Sequence, residues 1–292
     1  MAATDERNAG FPAGGPNADQ IEFWNGRVGE RWVSDQERTD RALEPIGIAA
    51  MERVGVSPGD KVVDIGCGCG ATSLELARRV GPSGAITAVD VSAPMLRHAR
   101  QRAAEAGLQH IAFINADAST HRFEPGAADL AFSRFGVMFF RNPEAAFANI
   151  RGALKRGGRL GFVCWRPLAE NPWVTLPRDV ALRHMEAPEP PAPGEPGPFG
   201  LADAARIRAL LDSAGFSEIA VEPHDTTVRH AGDIAAVARS LSEFGPASRL
   251  IQEADEATRA AIVADLEKAV APLHDGSGLD LAAAAWLVAA QA

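Results

Sequence analysis

The stretch VVDIGCGCG at residues 62–70 decides the fold. KVVDI at 61–65 is a short apolar run rich in β-branched residues, which reads as a buried strand. ATSLELARRV at 71–80 reads as a helix. Between them Gly66, Gly68 and Gly70 open a turn. Glycines here permit positive φ and let a ligand approach the backbone, and the helix start offers unpaired N–H groups. The spacing is G-x-G-x-G, not the dinucleotide pattern G-x-G-x-x-G. A tight strand–helix turn without a ligand would use the same glycines.

Working outward, the alternation continues. AITAVD (85–90), IAFINAD (111–117), LAFSRF (130–135) and LGFVCW (160–165) read as strands, and 93–106 and 143–154 as helices. Short glycine-rich links between them imply parallel strands, right-handed crossovers and a doubly wound α/β fold. Ligands bind such sheets at the carboxyl ends of the strands. Two acids stand there besides Asp64. Asp90 ends the second strand, about 20 residues past the glycine loop, where a carboxylate can accept both hydroxyls of a ribose; a helix cap is its plainer role, one that Ser92 can also fill. Asp117 ends the third strand, where it can accept the exocyclic amine of an adenine.

Upstream, Trp24, Val28 and Trp32 recur at i, i+4 and i+8, one face of a helix over 21–33, although Gly26 and Gly29 disfavour it. Residues 41–54 read as a second helix. Residues 1–20, rich in Gly, Ala, Pro and Asn, read as a flexible N-terminus. The rhythm breaks at 166–200, an insertion whose second half carries prolines at 188, 190, 191, 193, 196 and 198, which forbid helix. Beyond it come a helix at 203–214, a strand at 216–230, helices at 232–243 and 255–271, and a strand near 280–289.

Composition narrows the function. The 292 residues carry a net charge of -9 and no Lys/Arg-rich run, so nucleic acid is not an expected partner. Three cysteines form no disulfide framework and fit a reducing compartment. The N-terminus has no basic start or apolar core of a signal peptide, and no stretch of about 18 apolar residues would span a membrane. A cytoplasmic protein is expected. Cys67-x-Cys69 has no second Cys/His pair for zinc, so no metal is expected. There is no tyrosine to serve as acid or base.

VVDIGCGCG, AVDVSAPML, NADA, ADLAFSRFGVMFF and ALKRGGRLGFVCW, in that order, resemble the successive motifs of class I S-adenosylmethionine-dependent methyltransferases. The subgroup is the bacterial small-molecule type, similar to the ubiquinone and menaquinone methyltransferases. The likeness is strong over 45–165 and loose beyond. It implies a Rossmann-like, mostly parallel seven-stranded sheet with N-terminal helices and a lid insertion. A single domain is expected over 21–292: a cofactor core at 45–165, lid and substrate elements at 21–44 and 166–200, and a C-terminal sheet with helices at 201–292.

The resemblance also implies roles. Asp64, Gly66, Cys67 and Gly68 would frame the methionine part of S-adenosylmethionine. Asp90 would take the ribose, Val91 and Met95 would pack on the adenine, and Asp117 and Ala118 would meet its edge. Ser133 and Arg134 would lie beside the methionine chain and the methyl group. Trp24, Trp32, Phe135, Met138 and Trp173 are candidates for an apolar acceptor pocket, though the Trp24–Trp32 spacing also suits plain core packing. A sulfonium methyl is already activated, so the enzyme must chiefly orient and desolvate, effects worth at most about 7–11 kcal/mol. A base is needed only for an acceptor that is not already nucleophilic; His184, in the insertion, is the one weak candidate. The expected activity is methylation of an O or C atom of a small apolar or aromatic molecule by a monomer or homodimer. A nicotinamide-dependent oxidoreductase, and a cofactor-binding protein without methyl transfer, stay open.

Overall fold

Gly26 breaks the N-terminal apolar stripe into two helices. In the computed structural model, which describes residues 15–192 and 194–292, α1 spans Ala18–Asn25 and α2 spans Arg27–Ser34. Gly26 between them is extended, at φ −87° and ψ −157°. The single helix expected over 21–33 is therefore a corner. Trp24 and Trp32 sit on different helices and still meet edge to face, centroids 5.6 Å apart. Gly29 allows this: a Cβ there would lie 2.0 Å from the Trp24 carbonyl oxygen. Residues 1–14 of the expected flexible terminus lie outside the described residues. Residues 15–20 differ from the expectation, because Asn17 is buried and starts α1.

The third helix, α3, runs Gln36–Val54, longer than its apolar stripe suggests because its first turns are charged. The alternation then follows: β1 (Lys61–Ile65), α4 (Ala71–Val80), β2 (Ala85–Asp90), α5 (Ala93–Glu105), β3 (Ile111–Asn115), β4 (Ala128–Arg134), α6 (Pro143–Ala153) and β5 (Leu154–Trp165). β5 begins six residues before the expected strand at 160–165, and residues 155–158 form a bulge in it: Ala128 pairs with Leu154, and Leu130 already pairs with Arg159. The insertion holds a helix, α7 (Pro172–Ala181), begun by a proline at its first position, where the missing N–H costs nothing. Then come α8 (Ala204–Ser213), β6 (Ser217–Ala231), α9 (Ile234–Glu243), α10 (Ala247–Glu253), α11 (Glu256–Val270) and β7 (Gly278–Gln291). The periodicity gave no sign of α10, which is only seven residues long.

The seven strands lie in the order β3-β2-β1-β4-β5-β7-β6. β1 to β5 pair in parallel. β7 runs against β5, with Gly157 N–H donating to the Ala292 carbonyl and Arg166 N–H to that of Ala284. The sheet is the doubly wound, mostly parallel one expected. The strand order reverses between β1 and β4, so their carboxyl ends form the crevice such folds use.

Contacts divide the chain into two compact units. One takes the chain through Cys164 with Asp203–Glu222 and Trp286–Ala292; the other is Trp165–Ala202 with Pro223–Ala285. The core of the first includes Leu130, Phe132, Leu160 and Ile65, with Phe147 stacked on Phe162 at 5.5 Å. Each such side chain contributes about 1.5–3 kcal/mol by leaving water. In the second, Trp173 packs on Trp165 and Phe244 at 4.9 and 6.0 Å. Its indole N–H donates to Asn171 Oδ1, which also accepts from the Ala284 N–H. Among the described residues no helix is long and apolar enough to cross a membrane.

Candidate functional site

The site is built at the end of β1. The chain turns through Gly66, Gly68 and Gly70, all at positive φ. Gly66 is additionally required by packing, because a Cβ there would meet Gly136 Cα at 2.8 Å. Ser133 straps the two strand ends across this switch point: its Oγ donates to the Ile65 carbonyl at 2.8 Å and accepts from the Gly136 N–H. Ser133 is fully buried, and these two bonds satisfy its hydroxyl.

Asp90 closes the loop from β2. Its Oδ2 accepts from the Gly68 N–H at 2.7 Å and its Oδ1 from the Ser92 N–H at 2.8 Å. Burial raises its pKa, and those backbone bonds oppose the rise. Ser92 also caps α5, as the sequence suggests. Asp64 sits differently. It is sealed from solvent, and its Oδ2 accepts from the hydroxyls of Thr72 and Ser73 at 2.7 and 2.6 Å, in the first turn of α4. Burial pushes its pKa up to about 6 against those hydrogen bonds. Its Oδ1 is buried with no protein partner, an unfilled acceptor behind the glycine loop.

Asp117 stands just past β3. Its Oδ1 accepts from Asn17 Nδ2 at 3.0 Å and from the Ser119 N–H at 2.9 Å. Asn17 Oδ1 in turn accepts from the Arg141 N–H at 2.8 Å. Asn17, unnoticed in the sequence, therefore joins Asp117 to α1. Nothing in a lone Asn before a helix signals this beyond its aptitude as a cap. Asn25 does the same at β2: its Nδ2 donates to the Val91 carbonyl and its Oδ1 accepts from the Ala93 N–H. Ser92 Oγ donates to the Trp24 carbonyl at 2.8 Å. The N-terminal helices thus clamp onto the strand ends.

The remaining candidates of the first unit gather nearby. Met95 is buried and would lie 3.8 Å from a Cβ on Gly68. Ala118 is buried and its carbonyl accepts from Asn149. Phe135 holds φ +63°, a strained conformation for a bulky residue, and Met138 is buried in the short turn that follows. Trp24 touches Phe139 of that turn at 5.3 Å as well as Trp32. Arg134 turns to α3, with Nη2 3.6 Å from Asp40 Oδ1. Burial pushes the thiols up, Cys67 well above its ordinary value and Cys69 to about 12, so neither is a ready nucleophile.

Two candidates belong to the second unit. Trp173 fills its core. His184 Nε2 lies 2.9 Å from Asp265 Oδ2, and Lys268 donates to the other oxygen of that carboxylate. Among the described residues no group of three or more His, Cys, Asp or Glu is placed to hold a metal ion.

Known proteins carry the same pattern. Residues 62–158 match a family model described as a methyltransferase domain. The aklanonic acid methyltransferase of Streptomyces sp. (strain C5) is 36% identical over 36% of this chain and 47% of its own. The chain thus spans about half of that relative's length. The nocamycin O-methyltransferase of Saccharothrix syringae is 29% identical over 64% of this chain and 70% of its own. Among solved structures, the [4+2]-cyclase SpnF shares the fold at a TM-score of 0.55, with 22% identity, over 91% of this chain and 95% of that one. Sequence motifs, strand order and family model converge: residues 62–158 match a methyltransferase-domain model, and the sheet has the Rossmann-like fold of solved methyltransferases such as the geranyl diphosphate C-methyltransferase of Streptomyces coelicolor A3(2), at a TM-score of 0.53 and 18% identity over 96% of this chain and 99% of that one.

Proposed function

We propose that this protein transfers a methyl group from S-adenosylmethionine to an oxygen or carbon atom of a small, apolar or aromatic molecule. The observation that carries the reading is the pair of buried carboxylates at the ends of the neighbouring strands β2 and β3, Asp90 and Asp117, on one side of the glycine loop that follows β1, all inside the family-matched span. The site fits the cofactor: a carboxylate at the ribose position, a loop where side chains are excluded, and the unfilled Asp64 Oδ1 behind it. When bound, S-adenosylmethionine supplies an activated methyl group on a sulfonium.

In this reading Asp90 holds the ribose hydroxyls, and Asp117 with Ala118 holds the adenine edge over Val91 and Met95. The backbone of Gly66, Cys67 and Gly68 frames the methionine part, with Asp64 beneath. Trp24, Trp32, Phe135 and Met138 exclude water and present apolar surface to the acceptor. Desolvation and alignment supply the catalysis, and no side chain is assigned as a base; His184, bonded to Asp265, takes no part. The relatives named for aklanonic acid and nocamycin support a small-molecule acceptor, and the second supports oxygen as the receiving atom. The protein is taken as cytoplasmic, a monomer or homodimer, acting without nucleic acid.

The same fold serves a cyclase, so product formation is the deciding test. The full chain is incubated with methyl-labelled S-adenosylmethionine and a panel of phenolic, quinone and polyketide-like acceptors, read by mass spectrometry. A labelled acceptor with stoichiometric S-adenosylhomocysteine is expected. Cofactor binding with no labelled acceptor across the panel would leave binding without transfer.

A further inference from the structure

Four strand ends meet the N-terminal corner. In the glycine loop after β1, the Cys69 thiol donates to the Trp32 carbonyl, Sγ to oxygen 3.8 Å. After β2, Asn25 holds the Val91 carbonyl and the Ala93 N–H, and Ser92 Oγ donates to the Trp24 carbonyl. Past β3, Asn17 Nδ2 donates to Asp117 Oδ1 at 3.0 Å. After β4, the Arg141 N–H donates to Asn17 Oδ1, and Phe139 meets Trp24. α1 and α2 thus lie across the carboxyl ends of β1 to β4 as a strap.

Polar ties, more than buried side chains, hold this strap. No residue of α1 is buried, and of α2 only Gly29 is. Each helix has eight residues, too few to be stable alone, and the extended Gly26 joins them. Gly29 lets α2 come down on Ser92, whose Oγ would lie 3.0 Å from a Cβ there. An element with so few buried contacts opens at low cost, so whatever strengthens its ties keeps it closed.

Asn17 is the tie that a ligand can strengthen. It is buried, and both ends of its amide are committed, Nδ2 to the Asp117 carboxylate and Oδ1 to the Arg141 N–H. Asp117 receives Asn17 and the Ser119 N–H on the same oxygen, Oδ1. Among the described residues no hydrogen bond reaches Oδ2, the oxygen left for a ligand. A bond to a charged acceptor is stronger than one between neutral groups. One turn along α1, Gln20 Oε1 is buried with no partner, an acceptor on the strap for which the protein supplies no donor.

We infer that Asn17 is a positioning residue that couples the cofactor's nucleoside pocket to the aromatic wall of the acceptor site. Asp117, fixed by Asn17 on one oxygen and by the bound nucleoside on the other, holds α1 down. α1 and α2 then hold Trp24 and Trp32 in place for the acceptor, so the cofactor binds first and the acceptor second. The coupling is reciprocal: the cofactor favours the closed strap by the factor by which a closed strap tightens the cofactor. The inference rests on the methyltransferase reading and goes beyond it in linking the two sites.

The test is hydrogen exchange over residues 18–34 of the full chain, with and without saturating S-adenosylhomocysteine, beside calorimetry of the same ligand. In the wild type the ligand is expected to slow exchange there about tenfold or more. Asn17→Asp keeps the aptitude for a helix cap and an acceptor for the Arg141 N–H. It offers no donor to Asp117 and sets two carboxylates together. It should bind S-adenosylhomocysteine about tenfold more weakly, and saturating ligand should no longer slow exchange over 18–34. Asn25→Ala cuts a tie that does not involve Asp117; its strap should exchange faster throughout, yet the ligand should still slow it. A purely structural Asn17 would give the two variants the same pattern. Unchanged exchange in α4 and α5 reports an intact core. A wild type that binds the ligand without slower exchange over 18–34, or an Asn17→Asp protein slowed as much as the wild type, would overturn the inference and leave the methyltransferase reading standing. A wild type that does not bind the ligand would overturn both.

Discussion

β1 and β2 each carry an aspartate near the carboxyl end, Asp64 and Asp90, and use it in opposite ways. Asp64 turns back into the molecule and binds the hydroxyls of Thr72 and Ser73, fastening α4 behind the loop. Asp90 binds the backbone of Gly68 and Ser92, shaping the loop from the front. Both are buried, and burial raises the pKa of each. The difference is in the partner. Side-chain hydroxyls make Asp64 an anchor of α4; backbone N–H groups make Asp90 a brace of the loop.

The largest break in this comparison should come from Asp90→Ala. Loss of charge-assisted bonds to two ribose hydroxyls, roughly 1.5–3 kcal/mol each, should weaken S-adenosylhomocysteine about a hundredfold or more by calorimetry. Asp64→Asn should weaken it less than about tenfold.

Next comes pH. Asp64 goes from 3.8 unfolded to about 6 folded, so the native state holds this proton more tightly. The stability it contributes is complete below pH 3.8 and is lost as pH rises through 6. Relative to Asp64→Asn, the wild type should lose up to roughly 3 kcal/mol of unfolding free energy between pH 4 and 7. Urea titrations of both proteins across that range check it; a difference that is flat or rises with pH contradicts it.

A smaller effect separates the loop's glycines. Gly66→Ala meets both a positive φ and the Gly136 backbone, and should cost about 2 kcal/mol or more. Gly68→Ala meets only the φ, with its nearest neighbour, Met95 Sδ, at 3.8 Å, and should cost nearer 1 kcal/mol. Equal urea midpoints would remove the packing role given to Gly66. Least of all, His184→Asn should leave turnover within about twofold, since it disturbs a partly exposed pair with Asp265.

The sheet was legible because each of β1 to β5 is a short apolar run closed by glycine-rich chain, and the order of the motifs then placed Asp90 and Asp117 at strand ends. What stayed hidden depends on partners far along the chain. Asn17 reads as loop until Asp117 and Arg141 are folded against it. Asp40 carries no motif of its own, and only the fold brings Arg102 and Arg134 onto it. Gly26 and Gly29 read as weaknesses in one helix, and instead make the corner that lets Trp24 and Trp32 pack face to edge. Trp173, expected in an acceptor pocket, is buried with its indole N–H on Asn171 Oδ1, a bond that no spacing in the sequence signals.

The most direct test is a calorimetric titration of the wild-type chain with S-adenosylhomocysteine, with NADH in parallel. The account predicts micromolar binding of S-adenosylhomocysteine and no heat with NADH. Binding of NADH without S-adenosylhomocysteine would contradict it, because the G-x-G-x-G loop and Asp117 would then serve a nicotinamide cofactor.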